Sequence, residues 1–437
     1  MSPNRAVIVG GGLAGCEAAW QIVRTGLDVL LYEMKPHRYS DAHLSNHLSE
    51  LVCSNSLGST SLRNASGILK EEMRALDSLV IRAADMTSVP AGGALAVDRD
   101  LFARLVTWIL EGVGGVEIVR EEVTTLPEER PCIIATGPLT SEPMAGALSA
   151  LTGRELLYFY DAIAPIVDVE SIDHTIAFRA SRYDKGGDDY INCPLDREEY
   201  YALIRAMLEA EKVPLAKHDR GLYFEGCLPV EEMASRGIET LAHGPLKPVG
   251  LTDPRTGERP YAVVQLRQDD LCATMYNMVG FQTRLTWTEQ RRVFRMIPGL
   301  EKAEFHRLGS AHRNTYVNAP GFLDPTLRVK TVEGLFVAGQ LSGVEGYVDS
   351  AAAGLLAGIG VSRIMRGLAP SAPPVTTVCG SLVHYISGAD PKRFQPMNAN
   401  FGLLPDLEGT GKRRRDREAM SRRALADIRI WRESLEA

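Results

Sequence analysis

"RAVIVGGGLAGCEAAWQIVRTGLDVLLYE" runs from Arg5 to Glu33 and reads as strand, tight turn, helix, strand. The turn Gly10-Gly11-Gly12-Leu13-Ala14-Gly15 fits G-x-G-x-x-G. Gly10 permits the sharp turn, Gly12 lets the backbone approach a pyrophosphate, and Gly15 lets helix and strand pack closely. The helix N-terminus then offers free N–H groups and a positive dipole end to the phosphates. The second strand, "DVLLYE", ends at Glu33, 18 residues beyond Gly15. A carboxylate there can accept hydrogen bonds from both ribose hydroxyls. The stretch predicts a Rossmann-type dinucleotide site.

Two later stretches favour FAD over NAD. "PCIIATG" (Pro131 to Gly137) is an apolar strand ending in Ala-Thr-Gly, and "GLFVAGQLSGVEGYVDSAAAGLLAG" (Gly334 to Gly358) is strand, glycine turn and small-residue helix. Both resemble the elements with which glutathione-reductase-like flavoproteins complete their FAD site. Gln340 follows Gly339 where that family usually has Asp, and Gln can still hydrogen-bond the ribityl chain or pyrophosphate. Close helix packing is an equally good reason for an Ala/Gly-rich helix, and both readings can hold together. The predicted fold class is α/β, a glutathione-reductase-like FAD-binding Rossmann-type domain with an inserted α/β domain. The expected parts are 1–191 and 325–437 for the FAD domain, the latter with a basic C-terminal helix, and 192–324 for the insertion. The insertion carries no second G-x-G-x-x-G, so a nicotinamide reductant is expected to bind only transiently at the flavin.

A chain of 437 residues with 45% hydrophobic and 24% charged content fits a globular protein of two domains. The start has neither the basic flank nor the cleavage site of a signal peptide, and no apolar run of about 18 uncharged residues suggests a membrane span. A cytoplasmic protein with no membrane partner is expected. Seven scattered cysteines without a C-x-x-C pair make a poor disulfide framework, and the histidines do not fall at zinc spacing. Reduced thiols and no metal are expected. The net charge of −7 argues against nonspecific nucleic-acid binding, yet the segment from Lys412 to Ala437 has nine basic and five acidic residues. That tail can contact phosphate, or it is a solvated helix face docked through Leu425, Ile428 and Trp431.

The chain resembles the folate- and FAD-dependent tRNA uracil-5-methyltransferases. The resemblance runs through "GGGLAGCEAAW", "ELVCSNSL", "GILKEEMR", "VPAGGALAVDRD", "YFYDAIAPIV", "DYINCP", "FEGCLP", "PYAVVQLRQD", "HRNTY", "AGQLSGVEGYV" and "PMNANFGLLP". It implies formation of 5-methyluridine in the T-loop of tRNA. The carbon comes from methylenetetrahydrofolate, and reduced FAD with NAD(P)H supplies the electrons. Alternatives are a sister enzyme modifying ribosomal RNA or the wobble position, a flavin oxidoreductase on a small substrate, and a non-catalytic RNA binder. The composition leaves the oligomeric state open.

Uracil C5 is a poor nucleophile, and a thiolate adding to C6 gives C5 carbanion character. The resemblance assigns that thiolate to Cys227 of "FEGCLP", where Gly226 and Pro229 suggest an exposing turn. It assigns a second reactive cysteine, near the flavin, to Cys53. A cysteine taken alone is more often a packing residue. Tyr347 matches a ring that stacks on the isoalloxazine; its alternative is a core tyrosine. Turning a base out of a folded loop needs cationic and aromatic contacts. Candidates are Arg182, Lys185, Lys247, Arg267, Arg284, His312 and Arg313, of which Arg267, Arg284 and Arg313 can equally grip the folate's glutamate tail.

Overall fold

The computed structural model describes residues 5–184, 187–214, 223, 228–407 and 416–436. The chain opens with strand β1 (Arg5–Val9), helix α1 (Leu13–Val23) and strand β2 (Asp28–Glu33). It returns to the same sheet with β3 (Val116–Arg120) and β4 (Cys132–Ile134). It leaves through β5 (Leu157–Ala162) and builds a second sheet from β6 (Ile166–Asp168), β7 (Phe178–Arg179), β8 (Tyr190–Leu195), β9 (Ala262–Gln268), β10 (Met275–Met278) and β11 (Phe305–Arg307). It comes back through β12 (Ala311–Tyr316), which pairs with β5, and completes the first sheet with β13 (Leu335–Val337).

The first sheet has the order β13-β4-β1-β2-β3 and is parallel throughout. A parallel sheet is covered on both faces, so its inner strands read as unbroken apolar runs. That is why "AVIV" and "CII" are buried from end to end. Helix α2 (Tyr347–Met365) lies against α1 at backbone contact. A Cβ on Gly354 would sit 2.1 Å from the Ala14 carbonyl oxygen, and one on Gly358 would sit 2.7 Å from that of Ala18. α2 is also long and apolar enough to cross a membrane, but 78% of its apolar window is covered by the fold. Its hydrophobicity serves the core.

The second sheet takes β6 and β7, which precede residue 192, and ends at β11, well before 324. We therefore propose that the insertion runs from the end of β5 to the start of β12, in place of 192–324. Three-residue and two-residue strands carry no legible period, and their partners β10 and β8 lie later in the chain. "YAVVQLR" forms β9 as expected, and "REEYYALIRAMLEAEK" forms a helix over Arg197–Glu209 with an Asp196/Glu199 capping box. "TEQRRVFRMI" forms the helix Trp287–Phe294. The C-terminal helix Arg417–Glu436 docks by burying Met420, Ala424, Ile428 and Trp431, with Leu425 half-buried. Arg432 donates to the Ala75 carbonyl and to Asp77, so part of its basic charge is spent on the body.

Candidate active site

One cleft of about 310 Å³ joins the glycine turn to Cys53, Asp161, His312, Glu345 and Tyr347. At the turn, Gly10 has φ +109°, and a Cβ there would meet the Ala135 carbonyl oxygen at 2.4 Å. A Cβ on Gly15 would lie 1.8 Å from the Gly10 oxygen, whereas one on Gly12 would meet nothing within 4 Å. Gly12 thus faces open cleft at the first turn of α1, where free N–H groups gather. Leu13 and Ala14 begin that helix and line the cleft with Gly11. Glu33 accepts the backbone N–H groups of Gly11 (3.0 Å) and Lys35 (2.9 Å). It braces the turn and keeps lone pairs on both oxygens for a ribose. This donor set fits a dinucleotide pyrophosphate and its adenosine ribose.

Gly339 and Gln340 close the cleft from the other side. The Gln340 amide donates to the Glu345 carboxyl. Glu345 is 6% exposed, and burial, then the charge of Asp161, pushes its carboxyl well above the ordinary range. Tyr347 starts α2, and its hydroxyl accepts the N–H groups of Cys53 (2.6 Å) and Ser54 (3.2 Å). The ring is therefore fixed on the cleft wall beside Cys53.

Cys53 Sγ lies 3.3 Å from Asp161 Oδ2 and 3.9 Å from His312 Nε2, and those two atoms are 3.8 Å apart. Asp161 and His312 face each other across the β5–β12 ribbon, so strand register brings them together. The three ligating atoms lie within 4.8 Å, a separation a metal ion can also bridge. Sequence spacing hides the cluster because its members are more than 100 residues apart. Burial, then the Asp161 charge, raises the Cys53 thiol well above its ordinary range. Burial lowers His312. Among the described residues His312 Nδ1 and Asn314 Oδ1 are buried without a hydrogen-bond partner, and both residues line the cleft.

Removing the Asp161 charge favours the thiolate. Asp161→Asn is expected to move the pH midpoint of Cys53 alkylation by iodoacetamide down by about one unit or more in FAD-stripped protein. Peptide mass spectrometry reads it. An unchanged midpoint would mean that burial alone sets the thiol.

"SNS" after Cys53 is a clamp between the short strand Ala94–Val97 and β9. Asn55 Nδ2 donates to the carbonyls of Val97 (3.0 Å) and Gln268 (2.8 Å), and its Oδ1 accepts from Arg267 Nε (2.9 Å). Arg267 also donates to Ser54 Oγ at 2.8 Å. Arg267 is 8% exposed, so it holds the segment after Cys53 and does not present a cation to RNA or a folate tail. Arg284 is likewise committed, to Glu232 (2.6 Å) and the Val213 carbonyl (3.0 Å). Arg182 is half-buried against the Pro245 carbonyl. His312 is 6% exposed and belongs to the cleft wall. Lys247 and Arg313 are exposed. Lys185 and Cys227 lie outside the described residues. The chain on either side of Cys227 is anchored at the site: Tyr223 bridges to Tyr160 of β5, and the Val230 N–H donates to the carbonyl of Gln282, a cleft residue. Sequence reading missed Asp161, Asn314 and Glu345. The quoted "YFYDAIAPIV", "HRNTY" and "GVEGYV" contain all three, which was the signal available.

The family model described as Glucose inhibited division protein A matches residues 5–369. The chain is 60% identical over 425 residues to the Methylenetetrahydrofolate--tRNA-(uracil-5-)-methyltransferase TrmFO of Geobacter sulfurreducens, covering 97% of this chain and 98% of that one. It is 56% identical over 436 residues to the protein of the same name in Pelotomaculum thermopropionicum, covering 100% of both. Among solved structures, Aquifex aeolicus GidA in its form I crystal superposes with a TM-score of 0.71 at 18% identity, over 99% of this chain and 76% of that one. At that identity the superposition speaks for the fold.

Proposed function

The chain belongs to the methylenetetrahydrofolate–tRNA-(uracil-5-)-methyltransferase family, and from that membership we propose how its own residues carry out the reaction. The protein methylates C5 of a uracil in tRNA with the one-carbon unit of methylenetetrahydrofolate. The T-loop is the proposed position, NAD(P)H the proposed reductant, and the cytoplasm, where tRNA is found, the proposed location. The carrying observation is the single cleft that runs from the glycine turn to Cys53, Asp161 and His312. The turn at Gly10–Gly15, Glu33, the Gly339–Gln340 bend and Tyr347, which line that cleft, would hold FAD. When bound and reduced, FAD supplies the electrons that take the transferred carbon to the methyl level.

Cys227 is the proposed nucleophile. Its sulfur bonds to uracil C6, and the ring's C5=C6 electron pair becomes available at C5. C5 then bonds to the incoming carbon as one of that carbon's two bonds to nitrogen opens, a base takes the C5 proton, the C6–S bond breaks to restore the ring, and reduction of the carbon to methyl releases its remaining nitrogen. Two observations support this assignment: Val230, three residues after Cys227, is anchored to the cleft residue Gln282, and Tyr223, four residues before it, is anchored to β5, the strand that carries Asp161. Around the cleft, burial and then the Asp161 charge push the Glu345 carboxyl toward its neutral form, and Cys53 offers its S–H to Asp161. Cys53 is the proposed second reactive thiol, beside the fixed Tyr347 ring.

The test uses FAD-loaded protein, NADPH, an unmodified tRNA transcript and methylenetetrahydrofolate labelled in its methylene. Label at the T-loop uridine is expected. Label elsewhere in the tRNA would move the position. No label in tRNA but label in ribosomal RNA would overturn the substrate.

A further inference from the structure

The β5–β12 ribbon has two faces, and the reaction described above uses one. Residues directly opposite in an antiparallel pair share a face, and the face alternates along each strand. Asp161 with His312, and Phe159 with Asn314, make the cleft face. Tyr160 with Arg313, and Tyr158 with Thr315, make the opposite face. There the central carbon of the Arg313 guanidinium sits over the Tyr158 ring, 3.8 Å from its centroid. Arg313 is exposed, and among the described residues no carboxylate pairs with it. Beside this stack, Tyr160 packs against Tyr223, with ring centroids 6.4 Å apart, and Tyr223 bridges to Tyr160 through the backbone. Tyr223 is only four residues before Cys227, a span of at most about 14 Å of chain.

We propose that the Arg313–Tyr158 stack is a shelf for an unpaired tRNA base next to the target uridine. This deepens the tRNA reading above and rests on it. A guanidinium stacked on a ring is a planar cation whose outer face matches a nucleobase. Single-stranded bases are read by stacking on such surfaces. Among the described residues no carboxylate offsets the Arg313 charge, so the shelf complements RNA. It is continuous with the chain leading to Cys227. A uridine turned toward the cleft leaves its neighbour without a stacking partner, and the shelf replaces that partner.

The experiment measures steady-state methylation and direct binding of tRNA carrying 2-aminopurine beside the target uridine. The holoenzyme and the variants Arg313→Ala, Arg313→Lys, Tyr158→Leu and Tyr158→Phe are compared, with FAD content and NADPH oxidation as folding controls. Arg313→Ala and Tyr158→Leu are expected to raise KM for tRNA about tenfold or more and to abolish the 2-aminopurine quenching seen in the wild type. KM for methylenetetrahydrofolate and NADPH oxidation stay at wild-type values. Tyr158→Phe keeps the stack and behaves as wild type. Arg313→Lys keeps charge without the plane and does not rescue quenching. Rescue by lysine would overturn the shelf in favour of a phosphate contact. A raised folate KM with an unchanged tRNA KM would overturn it in favour of the folate tail. Unchanged KM values would overturn it outright. A wild-type enzyme that methylates no tRNA would instead defeat the tRNA reading itself. Should Arg313→Ala lose FAD, Arg313→Lys and Tyr158→Leu decide the matter.

Discussion

Cys227→Ala is expected to retain FAD and tRNA binding and to lose methyl transfer by about a thousandfold or more. A covalent nucleophile has no substitute in a step that needs a bond to C6, and such removals are among the largest single-residue effects known. The control is a tRNA transcript with 5-fluorouracil at the target position. Fluorine at C5 cannot leave as a proton does, so the C6–S bond persists and a protein–RNA adduct survives denaturing electrophoresis. The wild type should form the adduct and Cys227→Ala should not. Activity within tenfold of wild type would move the nucleophile, with Cys53 the next thiol to test. Flavin content measured on the same preparations separates lost chemistry from lost folding.

A pair of glycine variants is expected to differ in kind. Gly12→Leu should fold and bind FAD about a hundredfold or more weakly. Its backbone is extended (φ −76°, ψ −172°), which leucine adopts freely, and its Cβ points into open cleft. The side chain then stands where the pyrophosphate meets the N–H groups of α1, and each hydrogen bond to a charged group lost there costs about 1.5–3 kcal/mol. Gly15→Val should give no folded protein, because its Cβ would overlap the Gly10 carbonyl oxygen at 1.8 Å. Flavin fluorescence titration and thermal unfolding of FAD-free protein check both. Wild-type FAD affinity in Gly12→Leu would place the pyrophosphate elsewhere in the cleft.

The stretch from Arg5 to Glu33 determined the start of the fold by itself. Its strand, turn and helix are contiguous, and each glycine's task depends on neighbours within a few positions. Local geometry is legible locally, so Gly10, Gly12 and Gly15 could be assigned before any coordinates. The long blocks around Cys53, Cys227 and Tyr347 likewise carried the activity through resemblance. Tertiary structure alone decided what surrounds Cys53. Asp161 and His312 meet because β5 and β12 pair in one register, and a slip by one residue would turn both away from the cleft. Register across 150 residues leaves no periodic trace in either strand. The same holds for Arg267, which sequence offers as a free cation. Its donors are taken because β9 runs past the Ser54–Asn55 segment, whose side chains accept its hydrogen bonds. A sequence states which groups are polar; the pairing of distant strands decides which of them are already satisfied, and so which remain for a ligand.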